Sequence, residues 1–81
     1  MKLIKFSLEA CRKNVGMNLK DASEYVGINY QTLSKYEHDS SNIPMSLLNK
    51  LSVLYNVPTE YIFLGKRDEL IQALRSTQPE G

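Results

Sequence analysis

Apolar residues recur along this chain at helical spacing, in short runs separated by glycine, asparagine and proline. In the first run, Leu8, Cys11 and Val15 fall at i, i+3 and i+7 and predict a buried stripe on a helix over residues 8–15. Ser7 suits its N-cap, Glu9 its first turn, and Gly16 the left-handed residue that stops it. A second helix over residues 19–26 turns Leu19, Ala22 and Val26 inward, with Asn18 as cap and Asp21 at its third position. Ala22 and Ser23 are small, so a neighbouring helix can approach closely. Gly27 ends this helix and Ile28 plugs the corner. Asn29 caps a third helix over residues 30–36, with Leu33 and Tyr36 inward and Tyr30, Gln31, Ser34 and Lys35 outward.

The segment over residues 38–42 has turn composition, and Pro44 breaks any continuation of the third helix. Ser46 is expected to cap a fourth helix whose broad apolar face is Leu47, Leu48, Leu51, Leu54 and Tyr55. Asn56 suits a C′ site, and Val57-Pro58 an extended link. Residues 59–64 then predict a short helix closed by Gly65. Tyr61, Ile62, Phe63 and Leu64 are apolar almost all round, so it should be largely buried. A sixth, amphipathic helix is open over residues 66–75, with Leu70, Ile71 and Leu74 as its stripe. Residues 76–81 read as a frayed tail. Residues 2–6 alternate, but too briefly to argue a strand. The expected fold class is therefore all-α: one compact domain of five short helices, with the sixth open.

The second and third helices carry the functional signal. A helix-turn-helix needs two helices crossing at about 90–120° over a turn that often contains glycine. Its second helix presents outward side chains to the major groove, while its first crosses the phosphate backbone. Small Ala22-Ser23, then Gly27, Ile28 and Leu33, meet these needs in order. Gln31 can bond adenine bidentately, Lys35 can donate to guanine, and Tyr30 can pack on a thymine methyl or bond a phosphate. Ser34 suits phosphate better than base. Asn29 is mainly a cap, with a phosphate contact open.

Charge alters this picture. The chain of 81 residues has a formal net charge of only +1, spread evenly along its length. Phosphate neutralisation usually dominates affinity for DNA, so any positive face must arise by local arrangement. Lys5, Lys13, Lys20 and Lys35 are the candidates. The single cysteine, Cys11, excludes an internal disulfide framework and reads as a small core hydrophobe. His38, the only histidine, lacks the partners that a metal or catalytic site needs and reads as a surface loop residue. No catalytic constellation, metal or cofactor is expected, and the chain does not read as an enzyme. The N-terminal apolar run is too short for a signal peptide, and no window approaches a membrane span.

Several stations at family spacing carry a resemblance. They are Arg12, Gly16, Met17 and Asn18; Ala22-Ser23; Val26-Gly27-Ile28; Leu33-Ser34-Lys35-Tyr36-Glu37; Pro44; and Val57 onward to Gly65. Over about residues 7–65 the chain resembles the Cro/repressor family of phage and bacterial regulators, the lambda-repressor-like or XRE type. The resemblance implies a five-helix DNA-binding domain over residues 1–66 with its motif at about 18–37. It implies a partly buried ion pair between Arg12 and Glu37. It places Tyr30, Gln31 and Lys35 at base-contacting positions, and Asn18, Lys20, Asn29 and Ser34 at phosphate-contacting ones. Two departures stand out. Many members have glutamine where this chain has Leu19, and a glycine and basic residues where it has His38-Asp39-Ser40-Ser41. Asp39 tolerates a left-handed conformation, though less readily than glycine.

The resemblance implies sequence-specific binding of double-stranded DNA by a cytoplasmic, nucleoid-associated regulator. A Cro-like repressor, dimeric on a palindromic operator and with no small-molecule effector, fits this size best. Residues 67–81 can supply a dimerisation element through Leu70, Ile71 and Leu74; docking of that stripe on its own domain is equally open. A second reading also stands: a protein-interaction module of the same fold, an antitoxin or antirepressor partner, with weak DNA binding.

Overall fold

The computed structural model describes residues 5–76, and the statements below concern these. Most of the alternating N-terminal stretch and residues 77–81 of the expected tail lie outside them. Five α-helices follow one another: α1 (Leu8–Asn14), α2 (Leu19–Val26), α3 (Tyr30–His38), α4 (Met45–Tyr55) and α5 (Arg67–Ser76). A single 3-10 turn, Thr59–Tyr61, lies between α4 and α5.

Three polar side chains start the first three helices. The Ala10 amide donates to Ser7 Oγ at 3.1 Å, the Asp21 amide to Asn18 Oδ1 at 2.8 Å, and the Gln31 amide to Asn29 Oδ1 at 2.7 Å. Each satisfies a donor that the helix itself cannot. Gly27 ends α2 at φ +79°, and nothing lies within 4 Å of where its Cβ would be. Space is therefore not the constraint there; the left-handed backbone is. Asn56 takes the same conformation after α4, at φ +57°.

The core gathers Leu8 and Cys11 from α1, Ala22 and Val26 from α2, and Leu33 from α3. Leu47, Leu48, Leu51 and Tyr55 from α4 and Ile62 complete it. Met17, Leu19, Ile28, Tyr36 and Leu54 pack around its edge. Full burial of one such aliphatic side chain contributes about 1.5–3 kcal/mol. Burial also pushes the Cys11 thiol above its usual range, so it is a core residue and not a reactive one.

The structure departs from the sequence expectations in several places. Val15 is exposed, because α1 ends at Asn14 and Val15 is its C-cap. The third helix runs two residues beyond Tyr36, so His38 is its last residue and not a loop residue. Asp39 follows in extended backbone, φ −149°, and not in a left-handed turn. The fourth helix starts one residue before Ser46, with Pro44 as N-cap and no side-chain cap bond. Proline serves there because it cannot continue α3, while its carbonyl accepts the first intrahelical bond, from Leu48 at 2.9 Å.

The largest departure lies at residues 59–64. Only Thr59–Tyr61 is helical; Ile62 is extended and bridges Phe6 in parallel. The reason is competition for its backbone groups. Phe6 donates to the Tyr61 carbonyl at 2.8 Å and accepts from the Phe63 amide at 2.9 Å. On the other side, Ser40 donates its amide to the Gly65 carbonyl at 2.9 Å, and the Gly65 amide donates to Ser40 Oγ at 3.1 Å. Gly65 stands at φ +151°, a conformation that residues with a Cβ rarely adopt, and a Cβ there would also lie 3.0 Å from the Phe63 ring. Of the four apolar residues expected inside, Ile62 is buried and Phe63 half-buried, whereas Tyr61 and Leu64 are exposed.

Helix α5 leans on the body at its start. Arg67 Nη1 donates to Glu9 Oε1 at 3.0 Å, and Leu70 is buried. Ile71 and Leu74 are 42% and 50% exposed, so only the first residue of the stripe turns inward.

Candidate nucleic-acid interface

Helices α2 and α3 cross where their side chains are smallest. Ala22 and Ser23 of α2 are buried, as is Leu33 of α3, and the two helices pack on each other. The Ser23 hydroxyl donates to the Lys20 carbonyl at 2.9 Å, so its burial leaves no unpaired polar atom. Leu19, where the resembling family often has glutamine, is half-buried and packs on the core. It braces α2 by apolar contact and offers phosphate nothing beyond its backbone.

One buried cation fixes the crossing. Arg12 of α1 reaches α3 through two bonds to Glu37: Nε to Oε2 at 2.7 Å and Nη2 to Oε1 at 3.2 Å. A third bond runs from Nη1 to the Met17 carbonyl at 2.9 Å, one residue before the cap of α2. Arg12 and Glu37 are 7% and 5% exposed. The Glu37 carboxylate, by hydrogen bond, raises the Arg12 guanidinium above its usual range despite burial. The three bonds leave neither charge unpaired. Tyr55 Oη is buried nearby with no hydrogen-bond partner, and burial pushes its phenol upward.

The outward face of α3 is as follows. Tyr30, Gln31 and Lys35 are exposed, and Ser34 is half-buried. Asn29 and Asn18 use their side-chain oxygens as helix caps. That leaves each amide nitrogen as the group able to donate to a phosphate. Lys20 is exposed in the first turn of α2, with Asp21 beside it. The structure thus brings Tyr30, Gln31, Ser34 and Lys35 together on one helix, and Asn18 and Lys20 together on the start of another. It does not gather the other lysines there. Lys13 pairs with Glu9 at 3.7 Å, and Lys5 lines a groove with Phe6 and α5.

Two residues escaped the sequence reading, and a third was placed in the wrong element. Thr32 is exposed, lining a groove of about 320 Å³ with Tyr36, Ser46 and Lys50. Its i, i+4 relation to Tyr36 was the available signal. Lys50 adds a cation beside the motif, but α4 places it and local spacing cannot. His38 joins α3 only because the helix runs past Tyr36. The loop beyond is neutral to acidic: the Ser41 hydroxyl and amide both donate to Asp39 Oδ1 and hold that carboxyl below its usual range.

Two helices crossed over a glycine turn, the second with a polar outward face, define a helix-turn-helix protein. Residues 8–62 match the helix-turn-helix family profile. Over 59 residues the chain is 42% identical to the HTH-type transcriptional regulator ImmR of Bacillus subtilis, covering 73% of this chain and 46% of that protein. It is also 33% identical over 52 residues to uncharacterized HTH-type transcriptional regulators of Sinorhizobium medicae and Rhizobium meliloti, covering 64% of this chain and 37% of each. The chain spans less than half the length of these relatives. It belongs to the XRE-type helix-turn-helix family, a family of non-enzymatic DNA-binding proteins. No helix among the described residues is long and apolar enough to cross a membrane.

Removing one partner of the buried pair strands the other charge. Arg12→Ala and Glu37→Ala are each expected to lower unfolding free energy by about 3–5 kcal/mol. Urea titration followed by circular dichroism checks this; a loss below about 1 kcal/mol would show that the pair is solvated.

Proposed function

We propose that this chain binds double-stranded DNA sequence-specifically and regulates transcription by occupying an operator. The observation that carries the reading is the outward face of α3, where Tyr30, Gln31 and Lys35 stand exposed on a helix held by buried contacts. Family membership and the printed name of the Bacillus subtilis relative support it. Tyr30, Gln31 and Lys35 meet base edges, while Asn18, Lys20, Asn29 and Ser34 hold phosphates. Two copies bind half-sites about one helical turn apart, which makes the operator palindromic. The mode is Cro-like repression, in which protein level sets occupancy, and the place is the bacterial cytoplasm.

The second copy is held through α5. Leu70 turns inward, so Ile71 and Leu74, with Phe6 beside them, form the outer apolar surface. Leu74→Lys is expected to shift the chain from dimer towards monomer in sedimentation velocity. An unchanged sedimentation coefficient would remove α5 from the interface.

Gln31→Ala is expected to cost about 1–3 kcal/mol at the selected operator and to relax preference at one base pair. Selection from a randomised duplex pool, followed by gel-shift titration, supplies the operator and the affinities. An equal loss across all sequences would mean that Gln31 positions the helix and does not read.

The net charge of +1 and the Asp39-Ser40-Ser41 loop favour one other reading, a protein-interaction module of the same fold. The two separate by salt. A DNA binder loses affinity steeply as salt is added, with a slope set by the phosphates neutralised.

A further inference from the structure

Helix α4 carries a second patterned face beside the one it buries. Leu47, Leu48, Leu51 and Tyr55 turn into the core. Ser46, Asn49, Lys50 and Val53 stand at i, i+3, i+4 and i+7 and form a separate stripe, exposed along its length. The outer face of a surface helix is ordinarily polar, yet Val53 is 80% exposed. Tyr25 of α2 is 72% exposed, while the other exposed residues of that helix, Lys20, Asp21 and Glu24, are charged.

Tyr25 and Val53 flank a groove of about 420 Å³ whose remaining lining is Val26, Asn49 and Lys50. Val26 and Lys50 also line the groove of about 320 Å³ that runs past Ile28 to Thr32 and Ser46. The two therefore form one trough beside α4, about 10 Å from Ser46 to Val53, with Lys50 in its middle part. Gln31, Ser34 and Lys35 line neither groove, so the trough stands apart from the DNA-facing stripe of α3.

Charge and exposure select the occupant. Among the described residues, Lys50 is the only charged one lining either groove, and it pairs with no carboxylate. A second copy docked about a two-fold axis would set the patch against itself and bring Lys50 near Lys50, with no acid in the lining to neutralise them. A small molecule in the trough would leave the flanking Tyr25 and Val53 in water. A protein segment covers both and brings the missing carboxylate. Tyrosine is also among the residues on which binding energy concentrates at protein interfaces.

We propose that this trough is a docking surface for an acidic, apolar segment of another protein. An aspartate or glutamate of that segment meets Lys50. Aliphatic or aromatic side chains on either side of it pack on Tyr25, Val26 and Val53 at one end and on Ile28 at the other.

The probe is a displayed library of random peptides, selected on the full chain in the absence of DNA. Amide chemical shifts of the chain then locate the bound peptide. The selected peptides should carry an aspartate or glutamate flanked by leucine, phenylalanine or tryptophan, and should shift the amides of Tyr25, Asn49, Lys50 and Val53. Lys50→Glu should weaken the best peptide about three- to tenfold, and exchanging that peptide's acid for lysine should restore binding to the variant. Val53→Asp should weaken it about tenfold or more. Both side chains are exposed, so the variants should fold as wild type, which circular dichroism checks. Failure to select a peptide, selection of peptides without an acid, shifts elsewhere, or an unchanged affinity in Lys50→Glu overturns the proposal. Shifts at the same amides when the chain alone is concentrated would assign the trough to a second copy and overturn it equally. None of these readouts involves DNA, so each leaves the reading of α3 to its own test.

Discussion

The whole arrangement turns on a guanidinium out of water. Arg12 leaves α1 and meets both oxygens of Glu37 on α3 and the carbonyl that precedes the cap of α2. Two buried charges cost several kcal/mol each to desolvate, and good geometry does little more than recover this. What the pair provides is position. Apolar side chains such as Leu33 and Ile28 can slide with small loss; three directed bonds cannot. The angle at which α3 leaves the body is therefore set from its far end, by a residue that touches no surface.

The same end of α3 is held a second time. Asp39 runs extended into Ser40, whose amide and hydroxyl bond to the 63–65 segment, which is in turn stitched to Phe6. Helix α3 is thus anchored at its C-terminal end and presents its N-terminal turns outward. Its electrostatics are modest by contrast. Leu19 packs inward, Lys13 pairs with Glu9, and the loop after the helix carries a carboxylate. On the proposed reading, affinity then leans on base contacts and dimer geometry more than on phosphate attraction.

The sequence made the first half of the chain legible because its signals there are local. Caps at Ser7, Asn18 and Asn29, stops at Gly16 and Gly27, and the inward positions Leu8, Cys11, Ala22, Val26 and Leu33 all act within one or two turns. What escaped was decided at a distance. The 59–64 segment has helical apolar spacing, but Phe6 and Ser40, far away in sequence, take its backbone bonds. Helix α3 outruns its apolar pattern because Glu37 is held by a residue 25 positions earlier. Met45 precedes the expected start of α4 because Pro44 already supplies the capping geometry. At the candidate interface, Tyr30, Gln31, Ser34 and Lys35 followed from helical spacing. Thr32 and Lys50 did not, since they meet only through the packing of α4.

The central claim is that the buried pair sets the position of α3 and adds little net stability. Replacing both partners by apolar residues of similar size, Arg12→Met with Glu37→Leu, separates these roles. The measurement is affinity for the selected operator, taken beside urea unfolding of the same double variant. The account predicts a folded protein within about 1–2 kcal/mol of wild-type stability that has lost its preference for the operator over a random duplex. A double variant that folds and keeps that preference would contradict it.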